Sequence, residues 1–227
     1  MGAKENNNPK ITVNKLGEFL TATPRRQRKI LEAIKYPSEN KFMFTGYNEA
    51  RRAIKEYVLN DFDENILLNC INEFEEKPEE ERDNFTDSTI NALTIILESN
   101  EITDTGFTFL PYDGENPKLL IEGVEVSVNP DFIVHSATAR GEYIGAAKFH
   151  LSKSGHYGEE GGKYISAILY AFAEEHINLN GRTLRNTNCV SYDVFTDTLI
   201  ECPNSIVRRW QDIQAGCQNI VAIWDSI

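Results

Sequence analysis

No run of this sequence approaches the ~18 consecutive apolar residues that a membrane-spanning helix requires. Its opening stretch, MGAKENNNPK, is polar where a secretion signal would be apolar. Those two absences make a cytoplasmic protein without a membrane partner the expectation. Met1-Gly2 also falls short of a myristoylation signal, because Asn6 stands where Ser or Thr is required. Cysteine is scarce. Cys70, Cys189, Cys202 and Cys217 contain no C-x-x-C pair, and in a reducing compartment free thiols are expected. His135, His150, His156 and His176 lack zinc-ligand spacing. The glycines of GYNEA and EEGGK do not lead into the Lys-Ser/Thr of a phosphate loop, and spacing alone defines no Ser-His-Asp or Cys-His grouping. No internal repeat is visible.

Positive charge is also in short supply. With 23 Lys and Arg against 35 Asp and Glu, the chain carries a net charge of -12, which argues against phosphate binding over the molecule as a whole. The average hides an asymmetry. Residues 1–60 hold 12 basic and 6 acidic residues, a surplus of +6, leaving 11 against 29, or -18, for the remainder. Sign asymmetry of this kind points to an interaction surface on the basic part. A hydrophobic fraction of 41% in 227 residues is enough for a folded core.

Periodicity divides the chain in two. ITVNKLGEFL and TPRRQRKILEAIKY read as short helices, the second with Thr23 as N-cap and Pro24 in the first helical position. YNEARRAIKEYVL and DENILLNCINEFEE continue the helical pattern, and EFEEKPEEERDN is a charged connector. TDSTINALTIILES predicts a fifth helix capped by Thr86 or Asp87. From Phe107 the pattern becomes extended: GFTFLPYD, then KLLIEGVEVSVNPDFIV with a break near Gly123, then YIGAAKFHL. A helix (GGKYISAILYAFAEEH), a strand and hairpin with Asp197 in the turn, and a C-terminal amphipathic helix follow. The fold class is therefore α/β, a central mixed sheet flanked by helices, with a basic helical segment over 1–82 ahead of a core over 83–227.

Lys148 lies in a strand that is otherwise small and apolar. Ile144, Ala146, Lys148 and His150 share one face, and a lysine there needs a partner or a route to solvent. Asp131, ending the preceding strand, is the natural partner. Asp131 also reads as a strand-end or turn-capping aspartate, Lys148 as a snorkelling edge residue, and His150 as a structural histidine.

Pro130-Asp131 followed by a strand bearing Lys148 and then a helix resembles the PD-(D/E)xK nuclease superfamily, which includes restriction enzymes and recombination exonucleases. The likeness spans roughly residues 86 to 203. It implies a restriction-endonuclease-like core, Mg2+ or Mn2+ as cofactor, and phosphodiester hydrolysis of DNA or RNA. Asp131 would be a metal ligand and Lys148 the group that orients the nucleophile or stabilises developing charge. The family's second acid belongs two residues before the lysine, where this chain has Ala146. Glu98 is the candidate to supply the missing carboxylate as catalytic and metal-binding residue, and it reads equally as a solvated helix-end acid. Arg25, Arg26, Arg28, Lys29, Arg51 and Arg52 are candidates for a phosphate-binding face. They also fit a solubilising role, since the basic stretch lacks the interleaved aromatics of a single-strand binder.

The resemblance implies a nuclease, in a prokaryotic or phage defence or mobile-element setting by fold-level analogy. The Ala146 gap instead suits an inactive relative that serves as a binding or assembly subunit, and the acidic remainder suits a protein partner of opposite charge.

Overall fold

The protein is described as a computed structural model covering residues 5–37, 47–83, 85–115, 117–153 and 155–227. ITVNKLGEFL divides between a strand, β1 (Lys10–Thr12), and a helix, α1 (Val13–Thr21), where a helix alone is expected. Thr12 marks the change, its hydroxyl accepting the Lys15 N–H to cap the helix. α2 (Pro24–Lys35) starts on Pro24 after the extended Thr23, as the sequence predicts. α3 (Asn48–Leu59) and α4 (Glu64–Glu75) follow. α5 (Thr86–Glu98) differs from expectation at its start: its N-cap is Phe85, with no side-chain cap, and in the turn ahead of it Asp83 takes both the Phe85 N–H and the Thr86 hydroxyl.

The extended half begins with β2 (Thr108–Pro111), β3 (Lys118–Ile121), β4 (Val124–Ser127), β5 (Phe132–Thr138) and β6 (Gly141–His150). α6 (Gly158–His176), β7 (Thr183–Leu184), β8 (Val190–Asp193), β9 (Thr198–Glu201) and α7 (Ile206–Trp224) complete the chain. The main sheet has the order β2-β5-β6-β8-β9, with β7 beside β6. β2, β5 and β6 form an antiparallel meander. α6 then carries the chain across to β8, which lies parallel to β6, and Asp197, at φ 46°, turns β8 back into β9. A second, three-stranded sheet of order β1-β4-β3 arises from the hairpin between β2 and β5, with β1 added in parallel.

β6 is small and apolar because both of its faces are covered. Ala146 joins a core built with Leu16 of α1, Leu31 of α2, Val126 of β4, Leu169 of α6 and Trp224 of α7. Ala147 and Phe149 join a second core with Ile54 of α3, Leu67 of α4 and Leu93 of α5. The result is a mixed α/β arrangement of a central sheet flanked by helices. The boundary expected at residue 82 is not a seam in the packing. Each core draws side chains from both sides of it, and β1 is hydrogen-bonded into a sheet with β4.

Candidate functional site

Asn129 adopts a left-handed conformation (φ 45°), and Pro130, lacking an N–H, follows it as the chain enters β5. The β5–β6 register pairs Phe132 with Ala147, which sets Asp131 opposite Lys148 at the end of the ladder. The Asp131 N–H donates to the Ala147 carbonyl at 2.8 Å, and its Oδ2 accepts the Phe149 N–H at 2.9 Å. The carboxylate thus substitutes for a backbone acceptor where the strand runs out.

Lys148 Nζ lies 3.2 Å from Asp131 Oδ2 and donates to the Asn129 carbonyl at 2.6 Å. The two side chains are only 14% and 9% exposed, so they form a largely desolvated pair. Asp131 Oδ1 faces a second ammonium, Lys55 Nζ of α3, at 3.3 Å. Burial pushes the Lys148 ammonium below its ordinary pKa. Asp131 pulls it back up, while the neighbouring Arg51 and Lys55 act in the same direction as burial.

Two residues further along β6, His150 is buried and donates from Nε2 to the Gly155 carbonyl at 3.0 Å, with its ring against Tyr157. Burial pushes its pKa down to about 4. Asp193 and the Gly155 carbonyl oppose the shift, and Lys15 and Arg51 reinforce it. Asp193 ends β8 opposite His150 and holds His156, whose Nδ1 lies 3.3 Å from Asp193 Oδ2. Nearby on α1, Glu18 is buried and binds Lys15 at 2.6 Å and Arg26 at 2.6 and 3.0 Å. Burial alone would raise the Glu18 carboxyl, but the two cations outweigh it and hold it below the usual range.

The end of the sheet therefore gathers Lys15, Arg26, Arg51, Lys55 and Lys148 around three carboxylates, Glu18, Asp131 and Asp193. Five cations against three anions leave a local surplus of positive charge in an acidic protein.

The candidates read from the sequence are distributed unevenly. Asp131 and Lys148 meet. Glu98 is the exposed last residue of α5, and its neighbour Ser99 is tied to Asp197 at the β8–β9 turn at 2.6 Å. That turn belongs to the strand pair beyond β6, and three strand spacings of about 4.8 Å place β9 roughly 14 Å from β5. Glu98 is thus not brought to the Asp131–Lys148 pair.

Nor do the six basic candidates form one face. Arg51 reaches the site and Arg26 its rim, through Glu18. Arg52 pairs with Glu49, Arg28 pairs with Glu32 on another flank of α2, and Arg25 and Lys29 are exposed, away from the buried Ile30 and Leu31 of that helix. Residues that the sequence reading did not single out are Lys55, Lys15, Glu18, Asp193 and His156. Lys55 had a signal: it stands four residues after Arg51, on the same helical face.

These residues do not fit Mg2+ or Mn2+. Such ions take several hard oxygen ligands. Among the described residues, no three His, Cys, Asp or Glu side chains converge as a group that could hold a metal ion. Asp131 is a lone carboxylate whose oxygens already serve two ammoniums and an N–H, and Glu18 is saturated by its own two cations.

The arrangement does fit an anion arriving at Arg51, Lys55 and Lys148. Arg51 makes no salt bridge among the described residues, and Lys55 is half exposed. Comparison of the chain with protein-family models, with curated proteins and with solved structures finds no match to any of them.

Proposed function

We propose that this protein binds nucleic acid through phosphate contacts at the cationic end of its main sheet, on a nuclease-like frame that lacks a metal-dependent cleavage site. The observation that carries the reading is the Asp131 carboxylate clamped between Lys148 and Lys55, with Arg51 adjacent and, among the described residues, no group of three His, Cys, Asp or Glu side chains that could hold a metal ion. In a PD-(D/E)xK site the same acid and lysine would share a metal with a further carboxylate. Here the position two residues before the lysine is Ala146, wholly buried in the core against α6.

Two features support the nuclease-like frame. The elements run in the order that the resemblance implies: a strand entered through Pro-Asp, the lysine strand, then a helix. The acid and the lysine also stand side by side at a strand end. The phosphate reading rests on charge. Arg and Lys side chains neutralise backbone phosphates and release counterions, so affinity falls with added salt, with a log–log slope of about 0.9 per phosphate contact on duplex DNA.

The test is fluorescence anisotropy with labelled single- and double-stranded DNA and RNA at two salt concentrations, using the wild type and Arg51→Glu/Lys55→Glu. Binding that weakens with salt, and a loss of about tenfold or more in the variant, is the expected outcome. Absence of binding at low salt, or equal binding by the variant, overturns the reading. A parallel incubation in Mg2+ or Mn2+ is expected to leave the oligonucleotides intact. Cleavage that disappears in Lys148→Ala would replace the binding role with a nuclease.

A further inference from the structure

Two of the four cysteines are neighbours across the main sheet. The β8–β9 ladder pairs Val190 with Glu201, and it runs one step beyond both strands, where the Cys202 N–H donates to the Cys189 carbonyl at 2.9 Å. Cys189 therefore stands directly opposite Cys202. Both main chains are pinned there: the Cys189 N–H donates to the Asn186 carbonyl at 2.8 Å, and the Cys202 carbonyl accepts from the Asn186 side-chain amide at 3.1 Å.

The two side chains also share a face. Residues alternate across a sheet, so Cys189 and Cys202 lie on the side of the paired Ser191 and Ile200, which α6 covers. The Ser191 hydroxyl donates to the Gly162 carbonyl of α6 at 3.1 Å, and both cysteines join the core that holds Ile168 and Leu169 of that helix. A hydrogen-bonded antiparallel pair sets its Cα atoms about 5.5 Å apart, within the roughly 4.4 to 6.8 Å that a disulfide spans. Cys202 Sγ is turned toward the Pro203 carbonyl at 3.8 Å, so closing a bond takes rotation about side-chain bonds and no change of register. Cys70 lies in the other core, and Cys217 lies on α7 rather than on the ladder.

We infer that Cys189 and Cys202 form a cross-strand disulfide under oxidising conditions, and that this bond locks β9 onto β8 at the end of the hairpin away from Asp193. The oxidant is a small-molecule disulfide, and the exchange takes two steps. The Cys202 thiolate attacks one sulfur of that disulfide, forming a mixed disulfide and expelling one small thiolate. The Cys189 thiolate then attacks Cys202 Sγ, breaks the mixed disulfide and expels the second. Each expelled thiolate takes up one of the two protons that the cysteines give up, and two electrons pass to the oxidant.

Cys202 reacts first because β9 is the edge strand of the main sheet and can open by breaking its ladder with β8 alone. In the closed fold both thiols are inert. Burial pushes the Cys202 thiol up to about 12 and raises the Cys189 thiol as well, so neither ionises near neutral pH. The bond thus forms in molecules whose β9 edge has opened, and once formed it holds that edge shut.

Incubating the full chain with oxidised and reduced glutathione in graded ratios, then quenching in acid, alkylating and mapping peptides by mass spectrometry, tests the inference. The expected product is lighter by two hydrogens, with Cys189 joined to Cys202 while Cys70 and Cys217 are alkylated. Its Tm is expected to rise by about 5 °C and to fall back on reduction, because the link constrains the unfolded chain between residues 189 and 202. Cys202→Ala is expected to keep the near-ultraviolet circular dichroism of the wild type and to lose the response of Tm to the oxidant. Four free thiols at the most oxidising ratio overturn the inference. So does a disulfide between any other pair, or a Tm that the Cys189–Cys202 bond leaves unmoved. The mapping is made on the wild type, so the inference stands or falls even if the variant does not fold.

Discussion

His150 shows how the environment of one side chain at the sheet end becomes a property of the whole protein. Its folded pKa of about 4 lies below the ordinary value of 6.5 because it is buried, so the unfolded chain binds a proton that the folded chain refuses between those two values. Folding is then progressively penalised as pH falls from about 6.5 toward 4, by about 2 to 3 kcal/mol at pH 4.5 from this group alone. Urea unfolding of the wild type and of His150→Gln at pH 7 and pH 4.5 checks this. The variant, without the titrating ring, is expected to lose less stability on acidification by that amount. An equal loss in both proteins would show that the acid sensitivity resides in the carboxylates. The neighbouring pair was legible in the sequence, because a lysine in a small, apolar strand requires a counter-charge and Asp131 ends the strand before it. Glu18 was not, and for Lys55 spacing gave only its shared face with Arg51, since the approach of both to the pair depends on how α1 and α3 pack at the sheet end.

Among the elements, periodicity identified most helices and strands, while their ends followed local chemistry that pattern alone does not rank. Thr12 turns a strand into a helix, and α5 starts after Phe85 with neither Thr86 nor Asp87 as its cap, Asp83 holding the turn ahead of it. The hairpin break at Gly123 and the turn at Asp197 were readable because both sites need positive φ. The close approach on β6 was not. A Cβ on Gly145 would stand 2.2 Å from the Asn188 carbonyl oxygen, a main-chain atom of the turn that precedes β8. Glycine at this point lets the chain before β8 lie directly against β6, and so helps bring Ser191 and Asp193 alongside Lys148 and His150. Gly145→Ala is expected to destabilise the protein by about 1 to 3 kcal/mol, the usual cost of overpacking a filled interior. Chemical denaturation measures it, and a change below about 0.5 kcal/mol, the level of an ordinary surface substitution, would mean that the turn moves freely aside.

At the scale of the molecule, the sequence shows the charge asymmetry but leaves open how the basic half sits on the rest, and the packing shows it interleaved with the core. The basic N-terminal helices supply Leu16, Phe19 and Leu31 to the core on one side of the main sheet, while α3 and α4 supply Ile54 and Leu67 to the core on the other. Cations of this half are thereby carried onto the sheet end: Lys15 and Arg26 flank Glu18, and Arg51 and Lys55 close over Asp131 and Lys148. Composition revealed that the two halves differ in sign; it could not reveal that they share two cores. The distinction has a direct consequence for truncation. A fragment of residues 83–227 would expose the side chains that α1, α2, α3 and α4 cover, on both faces of one sheet, and would lose the strand that β1 adds to β4. It is expected to lack near-ultraviolet circular dichroism and a cooperative thermal transition, and mixing it with residues 1–82 is expected to restore both only if the halves reassemble. A fragment that melts cooperatively on its own would establish 83–227 as an autonomous domain and return the basic half to the role of an appended binding arm.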